Sequence, residues 1–260
     1  MTTENRSRNM SGHNKWASIK HKKAITDAKK GKVFTKIIRE IVVAAKEGGA
    51  QVENNARLRK AIEDAKEANM PQDNIKKAIQ RGTGEIPGAV YEEISYEGYG
   101  PAGVALIVEV TTDNKNRTAS EIRKMFSSHS GNLGESGCVG WMFTRKGCVT
   151  VDKSAADEDA LMNIALEAGA DDFKSEADSD IYEIITSPSD VDKMKTVLKE
   201  KNIPAASAEI SMIPQTYVKL AGDDAKSMLK LMDALEEHDD VKNVYANFDI
   251  SKEEMEKIEA

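Results

Sequence analysis

Residues 147–213, GCVTVDKSAADEDALMNIALEAGADDFKSEADSDIYEIITSPSDVDKMKTVLKEKNIPAASAEISMI, decide how the rest of the chain has to be arranged. A short β-branched run at Gly147–Val151 precedes a helical stretch, Glu158–Ala168, which Gly169 stops. Two strand-like runs follow, Asp172–Glu176 and Ile181–Thr186. Asp190 can then cap a helix running to Lys201, and Ala206–Ile213 closes the set as a strand. The order β-α-β-β-α-β is that of a ferredoxin-like split unit, complete in itself.

The flanks are each incomplete. Downstream lie a strand (Thr216–Leu220), a helix (Asp223–Glu237, with Ala225, Met228, Leu229, Met232 and Leu235 on one stripe) and a strand (Val241–Phe248). Upstream, Val90–Tyr96 reads as a strand and Glu97–Pro101 as a turn. Val104–Val110, VALIVEV, has the length and composition of a central strand. A helix starts at Thr118, with Glu121 closing a capping box and Ile122, Met125 and Phe126 inward, and Cys138–Phe143 reads as another strand. Joined, the two flanks make one α/β domain, residues 88–145 plus 214–250, into which residues 146–213 are inserted.

Before residue 88 the pattern is helical. Phe34, Ile37, Ile38, Ile41, Val42 and Ala45 form a core-facing stripe, and Gly48-Gly49 ends it. Gly31 predicts a bend ahead of that stripe. A second helix spans Asn55–Ala68, and Pro71 opens a third, Gln72–Arg81, followed by a linker at 83–89. The fold class expected is α+β multidomain: an N-terminal helical domain (10–87), then two ferredoxin-like α/β domains, the last inserted into the second. Residues 1–9 read as a disordered polar extension and 251–260 as an acidic tail.

Charge divides the chain in the same place. Residues 1–90 carry 19 basic and 10 acidic side chains, and residues 91–260 carry 18 and 34, within a formal net charge of −7. Lys15, Lys20, Lys22, Lys23, Lys29, Lys30, Lys32, Lys36 and Arg39 face one acid, Asp27, over 25 residues. Such a block on an acidic protein calls for a polyanion, and phosphate backbones are the common one because each neutralised phosphate releases counterions. A solvated helix face, or an acidic protein partner for which the chain is an interaction scaffold, is the competing reading. Lys29, Lys30, Lys32, Lys36 and Arg39 fall mostly off the apolar stripe, so folding is expected to leave them in water or on a ligand. Arg57, Arg59 and Lys60 can extend the basic surface or simply solvate their helix, and Trp16, among lysines, can stack on a base or pack.

Catalytic patterns do not emerge. The four histidines, His13, His21, His129 and His238, have no metal-ligand spacing, and Cys138 and Cys148 are too far apart for a metal knuckle. There is no nucleotide-binding glycine loop and no nucleophile elbow, so no cofactor and no enzyme activity are expected. No apolar run reaches membrane-spanning length, and MTTENRSRN lacks an apolar signal core; a cytoplasmic protein with no membrane partner is expected.

SGHNKWASIKHKKAITDAKKGKVFTKIIREI (11–41), NARLRKAIEDAKEANMPQDNIKKAIQRGTGE (55–85), YEEISYEGYGPAGVALIVEVTTDNKNRTASEIR (91–123) and GNLGESGCVGWMF (131–143) resemble the YebC/PmpR family, whose mitochondrial relatives are translational activators of cytochrome c oxidase. The resemblance implies three domains with the third inserted in the second. It implies a DNA-binding transcriptional regulator by the traditional label. A competing family view is a translation factor that binds the ribosome and its RNA and relieves stalling on proline-rich nascent chains. Lysine dominates the block, and lysine meets phosphate as a point charge rather than reading bases bidentately.

Overall fold

The structure is a computed structural model that describes residues 27–177 and 179–259. Three helices open it: α1 (Asp27–Gly48), α2 (Ala56–Glu67) and α3 (Gln72–Gly82). Ile41, Val42, Ala44 and Ala45 of α1 pack on Leu58, Ala61 and Ala65 of α2 and on Ile75 and Ala78 of α3, with Met70 of the corner buried among them. The helix runs unbroken through Gly31, so the expected bend is absent. Among the described residues nothing lies within 4 Å of a Cβ placed there. Asn55 caps α2 by accepting from Leu58 N–H while donating to Ala44 O (2.7 Å) and Gly49 O (3.0 Å), which ties the start of α2 to the end of α1.

The second domain is an antiparallel sheet with helices on one face. Its strands are β1 (Glu92–Tyr99), β2 (Ala105–Thr112), β3 (Asn132–Leu133) and β9 (Val241–Ala246), in the order β3-β1-β2-β9. Strand β2 alternates as its burial requires. Leu106, Val108 and Val110 enter the core with α4 (Lys115–Ser128) and α7 (Gly222–Glu236), whereas Ala105 and Ile107 face the other way. Glycine is required at position 98, where a Cβ would stand 2.5 Å from Asn132 O and 2.8 Å from a ring carbon of Phe126. That close approach lets β1 continue through the segment expected to turn.

Two further corrections concern this domain. Helix α4 begins at Lys115 and is capped by Asn114, which accepts from Arg117 N–H (3.1 Å); Thr118 is not the cap. Residues Cys138–Met142 are a turn ending in a short 3-10 segment, and the strand starts only at Phe143. The backbone N–H groups of Gly137, Val139 and Gly140 point at the Glu97 carboxylate instead of at a neighbouring strand.

Strand β4 (Phe143–Asp152) leaves the second domain and enters the third without a break. There it joins β5 (Asp172–Ser175), β6 (Ile181–Thr186) and β7 (Ala205–Pro214) in the fully antiparallel order β5-β6-β4-β7. Helices α5 (Glu158–Glu167) and α6 (Val191–Glu200) cover one face of this sheet, over Val149, Val151, Tyr182 and Ile184. Helix α6 carries no side-chain cap from Asp190. The chain returns to the second domain through β8 (Val218–Lys219), which pairs in parallel with β10 (Phe248–Asp249), and ends in α8 (Lys252–Glu259). The fold is thus α+β, with a helical domain followed by two ferredoxin-like α/β domains, the last inserted into the second. Among the described residues no helix is long and apolar enough to cross a membrane.

Candidate nucleic-acid interface

Lys15, Trp16, Lys20, Lys22 and Lys23 lie outside the described residues. Lys29 and Lys30 are on α1, and their side chains are not described. The remaining cations of the block do not all face outward, and this corrects the expectation that folding leaves them free.

Lys36 Nζ donates to Glu236 O (2.6 Å) and Lys32 Nζ to Glu237 O (3.0 Å), at the C-terminal end of α7. The unsatisfied carbonyls and negative dipole end of a helix attract cations there. Arg39 goes deeper. Its Nη1 donates to Asp239 O (2.5 Å) and pairs with Asp240 Oδ1 (2.6 Å), and its guanidinium lies 5.5 Å from the Tyr91 ring centre.

Asp240 is the centre of this contact. Its other oxygen accepts from Thr118 Oγ1 (2.5 Å), Arg117 Nη2 (2.9 Å) and Thr112 Oγ1 (3.0 Å). Burial alone would push this carboxyl up. The hydrogen bonds from Thr118, Arg117 and Thr112 and the charge of Arg39 outweigh burial and hold it at about 2. Thr118 therefore serves the carboxylate rather than a helix start.

Arg57 is likewise committed. Its Nε and Nη2 hold both oxygens of Glu40 (2.7 and 3.1 Å), its Nη2 and Nη1 hold both of Glu93 (2.5 and 3.0 Å), and Nη1 also reaches Glu47 (2.7 Å). Lys242 of β9 closes the group against Glu40 (2.9 Å) and Glu93 (3.3 Å). Burial raises the Glu40 and Glu93 carboxyls, but the hydrogen bonds from Arg57 and the charges of Arg57 and Lys242 bring both below the usual range. Glu40 and Arg57 belong to the helical domain, Glu93 and Lys242 to the second. Arg59 and Lys60 stay on the exposed side of α2, with Lys60 beside Asp64 (3.2 Å).

Glu121, His238 and Asp240 bring ligand-type atoms within 4.8 Å of one another. Their hydrogen bonds account for the grouping. His238 Nδ1 accepts from Asp240 N–H (3.1 Å), which places the ring proton on Nε2, 2.9 Å from Glu121. Asp240 is already saturated. Cys148 is buried, and burial, followed by the adjacent Glu183 charge, keeps its thiol well above the usual range, the reverse of nucleophile activation.

The sequence shows these cations but not their acceptors, which lie 200 to 205 residues away for Lys32, Lys36 and Arg39 and 10 to 36 residues away for Arg57. The cluster Thr112, Arg117 and Thr118 that holds the Asp240 carboxylate was missed outright. DNKNRT at 113–118 could have flagged it only as a polar segment at a strand end.

Comparison with known proteins places the whole architecture. Residues 14–85 match the TACO1/YebC protein N-terminal domain, and residues 91–248 match the TACO1/YebC second and third domain. The chain is 80% identical over 251 residues to a probable transcriptional regulatory protein of Endomicrobium trichonymphae, covering 96% of this chain and 100% of that one. It is 57% identical over 250 residues to a protein of the same description from Elusimicrobium minutum, covering 96% and 99%. A crystal structure of a conserved hypothetical protein from Aquifex aeolicus superposes with a TM-score of 0.81 at 47% identity, covering 91% of this chain and 97% of that one.

Proposed function

The chain belongs to the TACO1/YebC family, and within it we propose a non-enzymatic nucleic-acid-binding regulator of gene expression that meets phosphate backbone through its N-terminal domain. One observation carries this reading: nine cations against one acid between Lys15 and Arg39, on a protein whose formal net charge is −7. The printed description of the relatives, probable transcriptional regulatory protein, supports the regulatory role.

The labour is divided in this reading. Lys32, Lys36, Arg39 and Arg57 set the angle of the helical domain on the second domain. The phosphate contacts then fall to Lys15, Lys20, Lys22, Lys23, Lys29 and Lys30, with Arg59 and Lys60 on α2. Eight of the nine cations in the block are lysines, which favours backbone over base-edge contacts. That feature supports a second reading in which the polyanion is structured RNA, ribosomal RNA included, recognised by shape.

The test is a salt series of binding to labelled duplex DNA and to structured RNA. Changing Lys20, Lys22 and Lys23 together to Glu should weaken binding to every sequence and flatten the dependence on salt. Unchanged affinity would remove the block from the interface. Crosslinking in cells, followed by sequencing, then separates promoter DNA from ribosomal RNA.

A further inference from the structure

Trp141 is an aromatic that the reading above leaves unused. It is 68% exposed, whereas Phe126, Phe143, Tyr245 and Phe248 are all 7% exposed or less. An exposed indole on a loose loop would mean little, but this loop is built. The Glu97 carboxylate, reaching from β1, accepts from the backbone N–H groups of Gly137 (2.8 Å), Val139 (2.8 Å) and Gly140 (2.7 Å). The Tyr99 hydroxyl donates to Cys138 O (3.2 Å), and Gln215 Nε2 donates to Trp141 O (3.2 Å). The indole N–H itself donates to Cys138 O (3.2 Å). The loop backbone is held, the one polar group of the ring is committed, and what the ring still offers is its π surface.

The surroundings select the occupant. Glu135, Ser136, Gly137, Thr144, Arg145 and Gln215 are exposed around this segment, so Trp141 is a single ring in a polar rim. A protein partner would need an apolar interface core, and one ring does not supply it. A nucleobase needs only a flat face to stack on and a cation for its phosphate. Arg145 is exposed on the strand that leaves the loop. We infer that Trp141 is a stacking platform for an unpaired nucleobase, which rests on the nucleic-acid-binding function proposed above.

The experiment compares the full-length protein with its Trp141→Ala, Trp141→Phe and Glu97→Gln variants on labelled oligo(U) and on a duplex of equal length. Trp141→Ala should weaken oligo(U) binding about 5- to 150-fold, the worth of one base–aromatic stack, and leave duplex binding unchanged. Trp141→Phe should restore most of it. Glu97→Gln should weaken oligo(U) binding with Trp141 still present, because the loop is no longer held. Equal oligo(U) affinity for Trp141→Ala and the parent overturns the inference, as does an equal loss on both probes. Intact oligo(U) binding with loss of a co-purifying protein assigns the ring to a protein partner and also overturns it. If the parent protein binds neither probe, the proposed function itself fails.

Discussion

The two joints of this molecule are made of different material. The helical domain meets the second domain through charge: Arg39 on Asp240, Arg57 on Glu93, Lys242 on Glu40, and two lysines on the end of α7. The inserted domain meets the second domain through apolar packing and an uninterrupted strand. Met212 of β7 packs onto the apolar cluster on the helix-free face of the second sheet, where Ala105, Ile107 and Tyr245 meet Val139 and Phe143, the residues that lead into β4. Apolar contact is insensitive to salt and to protons, whereas ion pairs respond to both. One joint is therefore suited to stay fixed and the other to loosen as salt rises or pH falls.

The largest effect should come from breaking the apolar joint. Phe143→Ala removes a ring that is 6% exposed and should cost about 3–5 kcal/mol in a denaturant titration. The loss should be the same at low and high salt. Asp240→Asn attacks the charged joint, leaving Arg39 without its carboxylate and Arg117 with Asp113 alone at short range; it should cost about 3 kcal/mol, and less as salt rises. The pH dependence distinguishes the two. The Asp240 carboxyl sits at about 2 when folded against an ordinary 3.8. The unfolded state binds its proton first, so this stabilisation is complete above about pH 4 and is lost as the pH falls through about 2. Thermal melts across that window should show a steep acid loss in the parent protein and a shallower one in Asp240→Asn. Phe143→Ala should keep the parent's slope.

The contrast also explains what could be read from the sequence. The apolar elements were legible, since Phe34 to Ala45 announces its helix by period and VALIVEV its strand by composition. The insertion followed from counting elements that could not stand alone. Thr118-Ala119-Ser120-Glu121 matches a capping box, but Asn114 lies one turn earlier and its side chain does the capping. The match failed because Thr118 is drawn to Asp240, 122 residues on. The turn at Cys138–Met142 was misread for a related reason. Its apolar residues suggested a strand, and a carboxylate from β1 took the backbone donors a strand would have used. Charge density is visible in a sequence, whereas the partner of each charge depends on the fold. That is why Arg39 and Arg57 were expected in water or on a ligand and are found on carboxylates.

A smaller effect sharpens the comparison further. Arg57→Lys keeps the charge but loses the fork that holds two carboxylates at once. It should cost about 1 kcal/mol of stability, too little to unfold the protein but enough to loosen one joint. Limited proteolysis reads the difference. In the parent protein, cleavage in the linker at 83–89 should accelerate with salt, and Arg57→Lys should reach the same rate at lower salt. We propose the domain limits 88–145 plus 214–250 and 146–213 for the rest of the chain, and the same digest tests them. After cleavage near 146 and 214, the fragments 88–144 and 215–250 should remain together at every salt concentration, because β2 and β9 pair within one sheet. Fragments that separate as salt rises would mean that charge, not the shared sheet and its apolar face, holds the second domain together.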